Sequence, residues 1–369
     1  MTNPANPTNP MKGRGAVSNL AGRFEQRISL IEEEYLPEKR DTLFLPEHAK
    51  SLITRNQSPD IPFTHSINPY RGCEHGCIYC FARPNHAYVD LSPGLDFETK
   101  IFVKENAVAA LRKDLARPSY QCSPICIGTA TDPYQPVEAE RRITRGILEL
   151  LLECRHPLTL ITKNQLVTRD IDLLAELARQ SLVKVLVSVT TLDNQTKRWL
   201  EPRTSSGEAR LRAVGALHEA GVPVGVLVAP LIPWINDHET EQILERAAQA
   251  GADSANFILL RLPHEVAPLF VEWLQTHYPD RAERVLSTLR DARGGKLYES
   301  TFGARMTGNG EYARLYSQRF HLACRKVGLD HSHSRGSVTL DCSRFVPPLP
   351  EPRQQLKAKQ EDEPQMSLF

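Results

Sequence analysis

The chain has 369 residues, of which 41% are hydrophobic and 24% charged, a composition typical of globular proteins. Its formal net charge of +1 excludes a global electrostatic field that would attract nucleic acid or membrane, although local charged patches stay open. The polar N-terminus lacks the apolar core of a signal peptide, and no apolar run reaches membrane-spanning length. Without an export signal, the 8 cysteines indicate reduced thiols, so we expect a cytoplasmic protein with no membrane partner.

Two polar stretches precede the first predicted strand. Residues 1–20 are rich in Asn, Pro and Gly, which predicts a disordered lead-in. Residues 21–60 mix charged and apolar residues, and we interpret them as an N-terminal extension packed on the main domain. A first strand is predicted within residues 61–68, and it leads directly into a cysteine-rich stretch.

Three cysteines lie close together in this stretch. Cys73, Cys77 and Cys80 have Cys-x-x-x-Cys-x-x-Cys spacing, between glycines that allow the loop to curl. Such a loop can direct three thiolates at one centre, whereas a closed zinc or iron–sulfur site usually takes four protein ligands. We therefore predict a [4Fe–4S] cluster with one iron left open for chemistry. The alternative is a zinc site or an inert cysteine cluster, in which His75 or His86 would supply a fourth ligand.

Downstream of the cysteines, short apolar runs alternate with helical patterns. Continuous apolar runs are typical of buried parallel strands, and their alternation with helices predicts a parallel sheet. Counted from the strand before the cysteines there are six strand–helix units, too few for a closed eightfold barrel. A polar, Arg-rich C-terminal region with a less regular pattern follows at residues 280–345. The later strands are predicted at 124–130, 158–162, 183–190, 222–229 and 255–260, and the helices at 105–116, 143–153, 170–179, 208–220, 239–250 and 266–277.

Ligands of parallel α/β folds bind at the C-terminal ends of the strands, so the residues after each apolar run are candidates for a site. Thr129, Thr131 and Asp132 follow the second strand, and their oxygens accept hydrogen bonds from an ammonium group. Lys163 follows the third strand as a compact cation suited to a carboxylate. The alternatives are an ordinary Asp-Pro turn and a solvated surface lysine.

The remaining strand ends supply four further candidates. Ser188 lies within the fourth strand, and Arg203 lies on the loop after it as a possible carboxylate or phosphate ligand. Ile232 belongs to a stiff apolar segment after the fifth strand, and Arg261, after the sixth, is expected to contact the substrate. Core packing or a surface ion pair is the alternative for these residues.

The cysteine spacing, with aromatic Tyr79 before the last cysteine, resembles the radical S-adenosylmethionine (SAM) superfamily. The resemblance implies an α/β fold, an incomplete (β/α)6 TIM-type barrel with N- and C-terminal extensions, here at residues 61–279. It implies that SAM chelates the open iron and that an electron from an external donor cleaves it to a hydrogen-abstracting 5′-deoxyadenosyl radical.

The resemblance also assigns the SAM contacts. Tyr79 and Ile232 would lie against the adenine, and Lys163 and Ser188 would bind other polar groups of SAM. The Gly-Gly-Glu motif that such proteins place after the second strand is absent, so Thr129, Thr131 or Asp132 would take its role.

From Ser66 to about Lys296, the chain resembles the branch of this superfamily related to spore photoproduct lyase, which reverses a thymine dimer in DNA by hydrogen abstraction. We therefore expect a radical SAM enzyme that acts on DNA in repair or modification. The alternatives are an enzyme acting on RNA, a peptide or a small metabolite, and a non-catalytic metal-binding protein. The segments that carry this resemblance are Ser66-Ile67-Asn68-Pro69-Tyr70-Arg71-Gly72-Cys73, Thr131-Asp132-Pro133-Tyr134-Gln135-Pro136 and Leu260-Arg261-Leu262-Pro263.

Residues 346–369 are predicted to be a disordered tail, because a Pro-rich break precedes a Gln-, Lys- and Glu-rich linker. The tail closes with a peptide that resembles the bacterial sliding-clamp-binding motif, with Met in place of Leu at its second position. The resemblance implies that the last two residues fill an apolar pocket of the clamp; an irrelevant tail is the alternative. The peptide is Gln365, Met366, Ser367, Leu368 and Phe369.

Overall fold

The computed structural model describes residues 12–24, 41–329 and 340–349. The strands within these ranges are β1 (Leu43–Glu47), β2 (Thr54–Arg55), β3 (His65–Ile67), β4 (Tyr70–Arg71), β5 (Lys100–Lys104), β6 (Ile125–Ile127), β7 (Leu158–Thr162), β8 (Val183–Ser188), β9 (Val224–Leu231) and β10 (Ser254–Leu259). The helices are α1 (Asp96–Thr99), α2 (Ala107–Leu115), α3 (Glu138–Arg141), α4 (Ile143–Glu153), α5 (Ile171–Arg179), α6 (Asn194–Leu200), α7 (Gly207–Glu219), α8 (Thr240–Gln249), α9 (Val266–His277), α10 (Pro279–Asp291), α11 (Ala304–Thr307) and α12 (Glu311–Val327). The predicted clamp-binding peptide lies outside the described residues.

Six parallel strands form the centre of the molecule. They are hydrogen-bonded in the order β3-β6-β7-β8-β9-β10, and β2 adds an antiparallel edge beside β3. The strands follow each other in chain order because each crossover returns the chain to the next position of the sheet. The predicted incomplete (β/α)6 barrel is therefore confirmed, and the C-terminal strand ends meet at one edge of the sheet.

The local sequence explains why the units begin and end where they do. The side chain of Ser206 accepts a hydrogen bond from the amide of Ala209 at 3.2 Å and so caps the start of α7. Gly221, with φ of +75°, follows the last turn of that helix, and its amide donates to the carbonyl of His218 at 2.9 Å. The strand that comes next is almost entirely buried, as its apolar run predicts.

Three features differ from the sequence-based expectation. A second sheet, in the order β1-β5-β4, packs beside the cysteine stretch and was not predicted. The irregular region expected at 280–345 contains two long amphipathic helices, α10 and α12. Residues 12–20 differ from the predicted disordered lead-in, because Ala16, Val17 and Ser18 are buried against the barrel.

The N-terminal segment (residues 12–24) crosses the open side of the partial barrel. At one end, the amide of Ala16 donates to the carboxylate of Glu98, beside the first strand–helix unit. Further along, the hydroxyl of Ser18 donates to Glu272 of α9 at 2.5 Å, in the last unit. The segment therefore connects the two edges that the incomplete barrel leaves apart.

A second connection across the open side comes from an ion pair. The guanidinium of Arg305 in α11, next to β10, donates to both carboxylate oxygens of Asp60, which follows β2. The side chains of both residues are largely buried. Among the described helices, none combines the length and apolar composition needed to cross a lipid bilayer.

Candidate active site at the cysteine loop

The cysteine loop (residues 72–80) lies directly after β4 and near the end of β3. Cys73 and Cys77 are buried and Cys80 is half-buried. Two tight turns separate the thiols: the amide of Gly76 donates to the carbonyl of Cys73 at 3.3 Å, and the amide of Cys80 to that of Cys77 at 3.2 Å. Gly76 has φ of +67°, and a Cβ there would lie 2.7 Å from the Glu98 carboxylate. The loop thus needs glycine at this position.

A buried arginine fixes the course of this loop. Arg83 is fully buried, and its Nε donates to the carbonyl of Cys77 at 2.9 Å. Its other nitrogens donate to the carbonyls of Gly76, Pro93 and Gly94 and to the carboxylate of Glu98. Because the guanidinium holds five donors in a rigid plane, one side chain sets several backbone positions at once.

The N-terminal segment covers the same loop from outside. The carboxylate of Glu98 accepts hydrogen bonds from the amides of Gly15 at 3.0 Å and Ala16 at 2.8 Å. A Cβ at position 15 would lie 1.8 Å from the carbonyl oxygen of Gly76. Glycine at this position therefore lets two backbones pass in contact, and the cysteine loop is shielded from solvent on this side.

The three thiols have the donor chemistry of an iron–sulfur site. Burial raises the pKa of Cys77 to about 12 and also raises the pKa values of Cys73 and Cys80, so the isolated thiols stay protonated. Iron carries positive charge that favours the thiolate form, and each cysteine of a cubane binds a different iron. The donor set fits such a cluster. Within the described ranges, no three His, Cys, Asp or Glu side chains converge as a site for a single metal ion.

The two histidines considered as further ligands each place one ring nitrogen against a group other than the thiols. Nε2 of His75 lies 3.2 Å from the side-chain amide of Asn164, and its Nδ1 lies 3.4 Å from Asp132. Nε2 of His86 lies 3.0 Å from the carbonyl of Lys100, and burial lowers the pKa of this imidazole to about 4. Neither arrangement favours the zinc alternative.

Of the three candidates after β6, Asp132 and Thr131 hydrogen-bond to neighbouring parts of the site, whereas Thr129 is less engaged. Asp132 accepts hydrogen bonds from the Thr162 hydroxyl and the Lys163 amide, both at 2.7 Å. Burial alone would raise the pKa of Asp132, but the charge of His75 and these hydrogen bonds lower it to about 2. The hydroxyl of Thr131 donates to the carbonyl of Gly72 at 2.7 Å. Thr129 is partly exposed, and its hydroxyl forms hydrogen bonds with the side chain of Asn68.

Lys163 and Tyr79 lie beside the thiols. The ammonium of Lys163 is 6.0 Å from the centre of the Tyr79 ring, and its charge reaches Cys77 and Cys80. It forms no ion pair with a carboxylate of the described residues. Tyr79 is buried, and its hydroxyl donates to the carboxylate of Glu201.

Glu201 is a buried acid that the sequence analysis did not single out for the site. It accepts hydrogen bonds from Tyr79, from the Thr190 hydroxyl at 2.7 Å and from the guanidinium of Arg210. Burial by itself would raise the pKa of Glu201, but the Arg210 and Lys163 cations lower it to about 2. Arg203, which was predicted as a ligand for a carboxylate or phosphate, forms an ion pair with Glu74 of the cysteine loop at 3.0 Å.

Two predicted SAM contacts lie in the core, and one predicted substrate contact lies near the loop. Ser188 and Ile232 are buried; the carbonyl of Ser188 accepts from Arg210, and the amide of Ile232 donates to the side chain of Asn236. Arg261 follows β10, and its guanidinium carbon is 5.5 Å from the centre of the exposed Phe81 ring.

Comparison with known proteins agrees with this arrangement. The sequence profile of the Radical SAM superfamily matches residues 67–247, the range that carries the cysteine loop and most of the barrel. An uncharacterized protein of Mycobacterium tuberculosis is 38% identical over 264 residues, which cover 70% of this chain and 77% of the relative. An uncharacterized protein of Methanocaldococcus jannaschii is 28% identical over 236 residues, covering 64% of this chain and 83% of the relative.

A solved structure supports the same fold. Spore photoproduct lyase complexed with dinucleoside spore photoproduct superposes with a TM-score of 0.55 at 16% identity, covering 78% of this chain and 80% of that chain. A partial α/β barrel with three cysteines on the loop after its first strand defines an enzyme class built around a metal cluster. The chain belongs to the radical SAM superfamily, whose members use a [4Fe–4S] cluster and SAM.

Proposed function

We propose that this protein is a radical SAM enzyme that acts on DNA, in repair or modification. The observation that carries the proposal is the loop of three cysteines, two of them buried and one half-buried, at the C-terminal edge of the barrel. Cys73, Cys77 and Cys80 would hold the [4Fe–4S] cluster, which with an external electron donor cleaves bound SAM to a hydrogen-abstracting 5′-deoxyadenosyl radical. The cytoplasm suits the reduced thiols that such a cluster requires.

The residues around the loop bind and orient SAM in this proposal. Lys163, a cation beside the thiols that forms no close ion pair among the described residues, binds the SAM carboxylate. Thr129, whose hydroxyl is the least committed of the three candidates after β6, accepts from the SAM amino group. Tyr79 and Ile232 line the adenine side, Ser188 hydrogen-bonds another polar group of SAM, and the Glu201 carboxylate holds the hydroxyl of Tyr79 in place.

The choice of DNA rests on two supports. The first is the shared fold with spore photoproduct lyase, a protein whose solved complex holds a dinucleoside photoproduct. The second is the exposed Phe81 beside Arg261 at the mouth of the site, an aromatic and a cation suited to a base and a phosphate. RNA, peptides and small metabolites are the competing substrates.

The test uses deuterium transfer. The anaerobically reconstituted protein is reduced with SAM and perdeuterated DNA, either undamaged or ultraviolet-irradiated. We expect deuterium in 5′-deoxyadenosine or in regenerated SAM, and an altered nucleoside in the digested DNA. SAM cleavage without deuterium transfer from DNA, but with transfer from RNA or a peptide, would reject DNA as the substrate.

We also propose that the tail peptide, residues 365–369, binds the sliding clamp and brings the enzyme to replicating DNA. Deletion of these five residues is expected to abolish co-purification with immobilised clamp, because Leu368 and Phe369 supply the apolar contacts. Replacing Gln360 and Glu361 in the adjacent linker with alanine is the control and should leave binding intact. Capture of the shortened chain at the level of the full chain would end this proposal.

A further inference from the structure

We propose that Arg261 and Arg293, together with Phe81, form a subsite for a backbone phosphate of the substrate and the base next to it. This inference rests on the proposed action on DNA and names the groups that would hold the strand. Arg261 lies two residues after the end of β10, and Phe81 directly follows the last cysteine of the loop. Their 5.5 Å separation joins the last strand end to the cysteine loop.

Neither arginine forms an ion pair with an acidic side chain in the described part of the chain. The Nε atoms of both Arg261 and Arg293 are buried without a hydrogen-bond partner. Arg293 is 2% exposed, and its terminal nitrogens donate only to the carbonyls of Leu259, Leu260 and Arg305. Within the described residues, the Arg261 guanidinium contacts the sulfur of Met306 at 3.5 Å in addition to the ring of Phe81.

Two other deeply buried arginines each have the carboxylate partner that Arg293 lacks. Arg83 and Arg210 are as buried as Arg293, and each is paired with a buried carboxylate, Glu98 and Glu201 respectively. A buried cation without a counter-charge is unfavourable, so proteins pair such groups or leave them for a ligand. Arg293 therefore lacks the carboxylate that balances the other two buried arginines, and an anion bound beside it and Arg261 would supply that charge.

The neighbouring groups do not supply that anion. Burial and the charge of Arg261 lower the pKa of Arg293 to about 10, whereas Tyr298 and Glu299 act in the opposite direction. The carboxylate of Glu299 already accepts hydrogen bonds from the amide and hydroxyl of Thr301, at 2.8 and 2.6 Å. An anion between the two guanidinium groups would remove their mutual repulsion.

The exposed ring of Phe81 beside the cation favours a phosphodiester with its neighbouring base over an isolated carboxylate. Guanidinium groups match the oxygens of phosphate in a bidentate arrangement. Phe81 is 51% exposed and offers a flat apolar face within one nucleotide of the cation. Aromatic faces of this kind stack bases of single-stranded or flipped-out nucleotides without sequence preference.

The experiment measures binding, not turnover. A fluorescent 12-nucleotide oligothymidylate is titrated with the reconstituted full-length protein at several salt concentrations. We expect Arg261→Gln to raise Kd about 10-fold and to lower the slope of log K against log salt by about 0.7, the value for one phosphate of a single strand. Phe81→Leu should raise Kd by a similar factor with an unchanged salt slope, because stacking does not depend on counterions.

A matched control removes a positive charge from the adjacent helix. Arg290 of α10 pairs with the exposed Glu283 at 3.2 Å, and Arg290→Gln should change Kd less than twofold. Iron content and the visible spectrum, measured for each variant, verify that the cysteine loop is intact. Arg261→Lys should recover part of the affinity, because the charge is kept and the bidentate geometry is lost.

Two results would overturn the subsite. One is an Arg261→Gln variant with the affinity and salt slope of the wild type. The other is a wild-type protein that binds inorganic phosphate through Arg261 but does not bind the oligonucleotide, which would identify a small-anion site. Binding through Arg261 without deuterium transfer from DNA supports the subsite and contradicts only the proposed reaction.

Discussion

A Cys77→Ala variant, purified without air and supplied with iron and sulfide, is expected to lose the cluster and all reductive cleavage of SAM. Wild-type protein should hold about four irons per chain and form 5′-deoxyadenosine under strong reductant. The variant removes one of only three thiolates on the loop, and no other cysteine lies near enough in sequence to replace it. Iron analysis, visible absorbance and chromatography of the nucleoside products measure the two losses.

The control for this prediction is a second buried thiol that lies away from the loop. Cys126 is buried within β6, so Cys126→Ala should keep its irons and its SAM cleavage. If zinc instead of iron is recovered from the wild type, or if Cys77→Ala keeps the cluster spectrum, the assignment of the cysteine loop is wrong. A non-catalytic metal-binding protein would then be the better interpretation.

An Arg83→Met variant is expected to lose about 3–5 kcal/mol of unfolding free energy, the usual cost of leaving a buried charge unpaired. Arg83 and Glu98 are both fully buried, and their ion pair spans 2.5 Å. The substitution also leaves the carbonyl of Cys77 without its donor. Urea denaturation of the metal-free protein measures the loss, and weaker iron retention should accompany it.

An exposed ion pair provides the comparison. Arg112 donates to both carboxylate oxygens of Glu153 near the surface, and Arg112→Met should cost less than about 1 kcal/mol. Adding Glu98→Gln to Arg83→Met should recover part of the stability, because the uncompensated charge is then removed. Equal losses for Arg83→Met and Arg112→Met would show that Arg83 does not hold the loop.

The parallel sheet could be predicted because its signal is local. Each strand is an apolar run such as residues 183–188, and helices end at glycines such as Gly221 and Gly251 with positive φ. The two helices of the C-terminal region carried a weaker signal. The buried residues of α12, Ala313, Tyr316 and Phe320, have helical spacing, but many charged residues between them lower the mean hydropathy.

The site could be predicted from the sequence only where its residues lie at a recognisable spacing along the chain. The three cysteines and their aromatic neighbour all lie within residues 73–80 of the chain. The partners of the loop do not: Glu98 binds Gly15 across 83 residues, and Tyr79 meets Glu201 across 122. Buried ion pairs depend on which charged residues the fold brings together, and no local pattern distinguishes Arg83 or Arg210 from the surface arginines.

The route of the N-terminal segment has a consequence for biosynthesis. Its partners Glu272 and Glu265 lie 254 and 242 residues farther along the chain than Ser18 and Arg23. Contacts of such sequence separation close large loops of the chain and form late. The N-terminal segment can therefore dock fully only after the chain has been synthesised as far as α9, and until then the cysteine loop lacks this cover.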